Sequence, residues 1–459
     1  MGIVERTGTL IPSAGFKQRR RFCQLISVLG CLALRAMPVW AGDVILVSID
    51  GLMPDYYLRA DDLGLKIPNL RRLVREGSYA EGALSVMPSV TFPAHTTMIT
   101  GVNPARHGIE NNLVFDPDGA LGGGWHWFYE DLKVSTIFDA ARKYGIRTAS
   151  VTWPVTAGAP IDWNLPDMYP VPNLHEAKNL RSLVADQDLR DFLPSAEKLV
   201  RMGDDIRTQV ALHFLEKKPG FLAIHYLELD GAQHRDGPGS VPAKQALEKI
   251  DGYLGEVFSA LQQAGRWEST SVLVVSDHGF VEVDKVVKPG VLMRAVGLLE
   301  TDVEAEITAW QAAPWAAGGS LAIVTHPTAS SDSRQKVLDL VNLLKSNPVY
   351  GVAKVYMGAE LSRTGGFSRA LAVLEARPGY FFSAEVQGEL VSPSETRGMH
   401  GYSPSLPGLE AAFLAKGPGI KQGHRVETVR LLDLAPTIAR ILGVEFAGAQ
   451  GRVLEELFR

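Results

Sequence analysis

Three stretches of this chain are apolar runs that close on a carboxylate: Asp43–Asp50 (DVILVSID), Phe221–Asp230 (FLAIHYLELD) and Ser271–Asp277 (SVLVVSD). A strand that is apolar at nearly every position, rather than at every second one, has both faces buried. That is the pattern of a parallel sheet covered by helices. Helical periodicity surrounds these runs. It spans Ile67–Gly77, Ser135–Tyr144 with Gly145 as its stop, Ala196–Lys217 and Val241–Ala264, and a further strand follows at Ile146–Trp153. The alternation predicts an α/β fold with a mostly parallel central sheet and helices on both faces. In such sheets ligands bind beyond the carboxyl ends of the strands. Asp50, Asp230 and Asp277 are expected there.

The two ends of the pattern differ from its middle. Lys17, Arg19, Arg20 and Arg21 precede an apolar stretch, Phe22–Leu34, and Val39-Trp40-Ala41 places small residues where a signal peptidase cuts. This is the order of a secretory signal, and its apolar part is too short to span a bilayer. The expectation is a signal peptide over 1–41 and a catalytic chain over 42–459, exported to a periplasmic or extracellular space, without a transmembrane segment. Lipid anchoring through Cys31 is the alternative. Both cysteines of the chain, Cys23 and Cys31, fall in this segment, so a disulfide scaffold is excluded. The formal charge is 46 − 51 = −5; without residues 1–41 it is (46 − 6) − (51 − 1) = −10, which argues against binding a nucleic-acid duplex. From about 281 to 394 the texture changes to short strand-like pieces, turns and a helix near Ser333–Lys345. This stretch reads as an inserted cap. The core pattern resumes at Leu409–Ala415 and ends in a helix at Leu431–Leu442.

Polar residues collect where the site is expected. Asp230 and His234 stand at i, i+4 in DGAQH, Asp277 and His278 are adjacent in SDHG, and His400 lies in GMHGY. With Asp50 they make three carboxylates and three imidazoles. That donor set suits Zn²⁺, and it suffices for two ions. Two metals about 4 Å apart stabilise the attacking and leaving oxygens of phosphoryl transfer. A nucleophile is offered by Thr91, which opens the helix-like run TFPAHTTMIT before Gly101. A helix N-terminus favours negative charge there. Each feature alone is equally a cap or a turn; their joint placement gives them weight.

In order along the chain, these residues resemble the nucleotide pyrophosphatase/phosphodiesterase branch of the alkaline phosphatase superfamily. The resemblance runs from Val44 to Gly443 through Asp50-Gly51, Thr91-Phe92-Pro93, His107-Gly108-Ile109, Asn112, Asp230 with His234, Asp277-His278-Gly279 and His400-Gly401-Tyr402. It implies an alkaline phosphatase-like fold. It also implies two Zn²⁺, one on Asp230, His234 and His400 and the other on Asp50, Thr91, Asp277 and His278. Thr91 would attack phosphorus to form a phospho-threonine that a metal-activated water releases. Asn112 and the Thr91/Phe92 amide would hold a non-bridging oxygen. Three positions depart from the family's usual pattern: Ala94 after the proline, Leu229 before Asp230, and Gln233 before His234.

The implied substrate is a small phosphate ester, either a phosphodiester or the pyrophosphate bond of a nucleotide-like molecule. The nucleophile segment Met87–Val102 contains no Lys or Arg. This favours a diester over a dianionic monoester, which gains from an added cation. A phosphomonoesterase of the same superfamily is the alternative. An inactive metal- or phosphate-binding protein is the alternative from another class. Phe92, Trp153 and the Trp125–Tyr129 cluster offer aromatic faces for a nucleobase, or serve only as packing.

Overall fold

The computed structural model describes residues 42–121, 124–168, 184, 187–193, 195, 202–427 and 429–459. The signal-like segment 1–41 and residues 196–201 of the expected third helix lie outside the described residues. In chain order the strands of interest are β1 (Asp43–Ile49), β2 (Ser78–Ala80), β3 (Thr148–Val151), β4 (Trp163–Leu165), β5 (Phe221–Tyr226), β6 (Thr270–Val275), β7 (Ala312–Ala317), β8 (Ser320–Thr325), β9 (Val352–Met357), β10 (Ala370–Ala376), β11 (Phe413–Lys416) and β12 (His424–Val426). The helices are α1 (Pro68–Glu76), α2 (Thr91–Thr100), α3 (Ile137–Lys143), α4 (Asp204–Glu216), α5 (Glu228–Asp236), α6 (Val241–Gln263), α7 (Ser331–Ser346) and α8 (Leu434–Leu442).

Among the described residues, eight strands form the central sheet in the order β12-β2-β11-β6-β1-β5-β3-β4. Five of its seven pairings are parallel; β11 runs antiparallel to both of its neighbours. The apolar run of β1 is explained by its central place. Ile45, Val47 and Ile49 pack on one face with residues of α1, α4 and α6, while Val44 and Leu46 pack on the other with α2, α3 and α8. Full burial of one such side chain contributes about 1.5–3 kcal/mol.

One expectation needs correction. The run Phe221–Asp230 does not remain a strand to its end: β5 stops at Tyr226, and Asp230 lies in the first turn of α5. The cause is local. The Asp204 carboxylate accepts the N–H groups of Leu227 (3.1 Å) and Glu228 (2.9 Å), which caps the new helix. Asp230 and His234 therefore share a helical face, one turn apart.

Between β6 and β11 the chain leaves the central sheet. It builds an antiparallel sheet in the order β7-β8-β10-β9, with residues of α7 in the core that sheet helps to form. The β7–β8 hairpin turns at Gly318-Gly319, and this turn reaches the His400 loop: Gly319 N–H donates to His400 O at 2.7 Å.

Candidate active site

Five segments meet at the carboxyl end of the central sheet. Asp50 follows β1, Thr91 opens α2, Asp230 and His234 stand on α5, Asp277 and His278 follow β6, and His400 comes from the loop before β11. His278 Nε2 lies 3.0 Å from Asp277 Oδ2 and 3.4 Å from Asp50 Oδ1. His234 Nε2 lies 3.4 Å from Asp230 Oδ1 and 3.2 Å from His400 Nε2. His400 Nε2 lies 3.8 Å from Asp230 Oδ1, and its ring stacks on His278 at 3.6 Å. Two sets of donor atoms, Asp50/Asp277/His278 and Asp230/His278/His400, each fall within 4.8 Å of one another. The Asp50/Asp277/His278 set is sealed, with side chains at most 2 % exposed, whereas Asp230 and His234 are 21 % and 28 % exposed. The cluster thus opens to solvent at α5.

The residues present fit divalent metal. Each imidazole turns its Nδ1 toward a backbone carbonyl: His234 to Gly398 (2.9 Å), His400 to Ser89 (3.1 Å) and His278 to Gly279 (3.2 Å). Donation there leaves the Nε2 lone pairs facing the cluster, the arrangement of metal-bound histidine. Facing the cluster, the buried atoms Asp50 Oδ1, Asp230 Oδ1, Asp277 Oδ2 and His278 Nε2 make no well-aligned hydrogen bond among the described residues and lie close to one another, His278 Nε2 and Asp277 Oδ2 at 3.0 Å. Buried polar atoms ordinarily find one. Three carboxylates held this close also repel. Burial, then Asp277 and Asp230, push the Asp50 carboxyl well above the usual range. Burial would raise Asp277 too, but His278, His95 and His225 hold it far below. Burial, with His278 and His234 beside it, keeps His400 neutral. Cations would relieve the repulsion.

The type I phosphodiesterase / nucleotide pyrophosphatase family model matches residues 44–403, which contain every one of these side chains. The chain belongs to this family. Among its relatives is the Xenopus laevis bis(5'-adenosyl)-triphosphatase enpp4, 24 % identical over 413 residues that cover 87 % of this chain and 78 % of the relative. Human ectonucleotide pyrophosphatase/phosphodiesterase family member 1 is 23 % identical over 89 % of this chain and 40 % of its own length. Murine ectonucleotide pyrophosphatase/phosphodiesterase 5, solved in complex with AMP as a threonine-to-alanine variant described as inactive, shares the fold. Its TM-score is 0.67 at 20 % identity, over 91 % of this chain and 100 % of that one. Among the described residues, no helix is long and apolar enough to cross a membrane.

Around Thr91, this phosphodiesterase-family chain departs from what its sequence suggests. Phe92 N–H donates to Asn112 Oδ1 at 2.8 Å. That amide is therefore committed, and the donor Asn112 still offers toward a phosphate is its Nδ2. Neighbouring Asn111 spends its own amide on Ala316 O (2.9 Å) and its Oδ1 on Asn112 N–H (2.8 Å). The Phe92 ring is 1 % exposed, in contact with Trp125 at 5.1 Å, so it presents no free face to a base. Trp153 is fully buried, edge-on to His95 at 4.9 Å. Its role is packing. The three departing positions are absorbed by the core: Ala94 and Leu229 are fully buried, and Gln233 bonds Gly51 O (2.9 Å) and Tyr56 OH (2.7 Å), tying α5 to the turn after Asp50.

Sequence reasoning missed a second polar layer. His95 donates from Nδ1 to Thr91 O (2.8 Å), accepts Ser48 Oγ at Nε2 (2.8 Å), and stands 3.8 Å from Asp277 Oδ2. His225 contacts Asp50 Oδ2 at 3.0 Å and lies 4.2 Å from the His95 ring. The signal for His95 is its place one helical turn after Thr91. For His225 it is an ionisable residue inside a run that is otherwise buried on both faces.

Proposed function

We propose that this chain is a two-metal hydrolase of phosphodiester or pyrophosphate bonds, acting through Thr91. The observation that carries the reading is the set of buried Asp and His atoms turned toward one another at the strand ends, with no well-aligned hydrogen bond to any other group among the described residues. Asp230, His234 and His400 would hold one Zn²⁺, and Asp50, Asp277 and His278, with Thr91, the other. Bound there, the ions supply charge neutralisation and lower the pKa of coordinated hydroxyls.

The chain's own groups prepare the attack. The α2 N-terminus places a positive dipole end at Thr91, which favours its ionised form. His95 fixes the Thr91 carbonyl, and with it the first turn of the helix. Asn112 Nδ2 donates to a non-bridging phosphoryl oxygen, stabilising charge as it develops. Thr91 Oγ forms the bond to phosphorus while the ester oxygen leaves, giving a phospho-threonine that water then hydrolyses. The inactive threonine-to-alanine relative bound to AMP supports a nucleotide-like substrate and a threonine nucleophile. The absence of Lys and Arg from Met87–Val102 favours diesters.

The test is steady-state hydrolysis of an aryl phosphodiester and an aryl phosphomonoester by the zinc-loaded protein. The diester is expected to be the better substrate by kcat/KM. Thr91→Ala should lower kcat at least about 10³-fold with fold and metal content kept, and Thr91→Ser should retain turnover. A Thr91→Ala protein with more than a tenth of the wild-type kcat, about 1.4 kcal/mol of barrier, ends the nucleophile assignment. Preference for the monoester would move the reading to a phosphomonoesterase.

A further inference from the structure

We propose that His225 is a positioning residue: it fixes which oxygen of Asp50 faces the cluster, and thereby sets the affinity of the metal site built on Asp50, Asp277 and His278. This rests on the two-metal reading above.

The sheet register puts His225 in place. Ser48 and His225 are paired across β1 and β5, so both side chains rise on the α2 face, two residues before Asp50. The ring sits between two oxygen acceptors; a neutral imidazole carries one N–H, and on Nε2 it donates to Asp50. Nδ1 lies 3.1 Å from Thr152 O, one residue beyond β3, and Nε2 lies 3.0 Å from Asp50 Oδ2. His95 covers one side at 4.2 Å, and the side chain is completely buried. Three neighbouring strands of the central sheet thus converge on one imidazole.

The consequence falls on Asp50. The terminal torsion of an aspartate is broad and roughly two-fold, so an unrestrained carboxylate exchanges its oxygens freely. Here Oδ2 is taken by His225, while Oδ1 makes no well-aligned hydrogen bond among the described residues and lies 3.4 Å from His278 Nε2. Asp277 is divided the same way: Oδ1 accepts Gly51 N–H at 3.1 Å and Oδ2 faces the cluster. Partners of ligating groups typically change metal affinity 10–100-fold when removed. Packing alone does not ask for histidine, because Phe221 and Ala223 fill the same face of β5 with apolar groups.

The experiment is a competitive titration of the apoprotein with Zn²⁺ and Co²⁺, reading stoichiometry, affinity and the visible spectrum of bound Co²⁺. Thermal melts are recorded on the same samples. Three variants are compared. His225→Gln reaches toward Asp50, His225→Asn keeps only the Thr152 side, and His225→Leu keeps neither. Wild type is expected to bind two ions. His225→Asn and His225→Leu should weaken one site 10–100-fold and alter its Co²⁺ spectrum, leaving the other site unchanged. His225→Gln should stay within about threefold of wild type. Should His225→Leu fail to fold, the Gln and Asn pair decides: equal affinities overturn the proposal. Wild-type affinity at both sites in a folded His225→Leu also overturns it and leaves the two-metal reading standing. A wild-type protein that binds no divalent metal overturns both.

Discussion

At the scale of single residues, protonation is costly where a buried ring has both nitrogens committed. His107 is fully buried; its Nδ1 accepts Ile109 N–H (3.1 Å) and its Nε2 faces Thr97 Oγ1 (3.1 Å). A second ring proton would point at the Ile109 N–H. Burial pushes His107 down to about 3. An exposed histidine titrates near 6.5, so above that pH the ring is neutral folded or unfolded and has no effect on the balance. Below it, the unfolded chain takes up a proton that the native ring refuses. Stability then falls by about 1.4 kcal/mol per pH unit until the native ring titrates. Urea unfolding of wild type and His107→Gln between pH 7 and 4 tests this. The variant starts less stable, and its stability should decline with a slope shallower by about one proton. Parallel slopes would refute the assignment. The six proposed Asp and His ligands were legible in sequence because each sits in a short motif at or just beyond the end of an apolar run, or in GMHGY. His95, His107 and His225 were not assigned roles, because tertiary register, rather than chain neighbours, decides what they touch.

At the scale of elements, the β7–β8 hairpin is a support for the site. Gly319 lies against the ring of Tyr402, where an added Cβ would overlap it. That ring cannot swing aside: it is fully buried, and its hydroxyl donates to Tyr380 O at 2.6 Å. Gly401, between His400 and Tyr402, has φ +87 and packs on the Ala317 carbonyl, a conformation and a closeness that suit glycine alone. Gly319→Ala is expected to cost about 1–3 kcal/mol of stability. It should also weaken metal binding at the His400 site, since the same turn holds the His400 carbonyl. Denaturant unfolding and metal titration check both parts, and an unchanged metal affinity would confine the hairpin to a structural role. Elements themselves were largely legible, from α1 closing at Gly77 to α6 over Val241–Gln263. The failure at Asp230 is instructive: the run FLAIHYLELD carries no glycine or proline to mark the strand's end. The cap that starts α5 comes from Asp204, distant in sequence.

Across the whole molecule, the proposed ligands connect segments from Asp50 to His400 and close the central sheet against the hairpin. Metal bound only by the native arrangement stabilises it by mass action, about 2.7 kcal/mol for each site at a hundred times its Kd. Excess chelator should therefore lower Tm by several degrees, and added zinc should restore it. Differential scanning calorimetry with metal analysis of the same samples measures this. Identical melts for metal-free and metal-loaded protein would show that the cluster holds no tightly bound ion.

The strand order has a consequence for biosynthesis. β1 is made early, yet its two neighbours pair across 221 − 44 = 177 and 270 − 43 = 227 residues. At 5–20 residues per second, a ribosome needs on the order of ten seconds or more to deliver the second of them. Until the first of them is made, the segment VILVSI has no neighbouring strand to pair with, and it is an apolar peptide of the kind a holdase binds. The last proposed ligand, His400, emerges later still. The proposed metal cluster thus cannot be completed until His400 has been made, and a chain interrupted short of His400 lacks at least one of its six proposed Asp and His ligands.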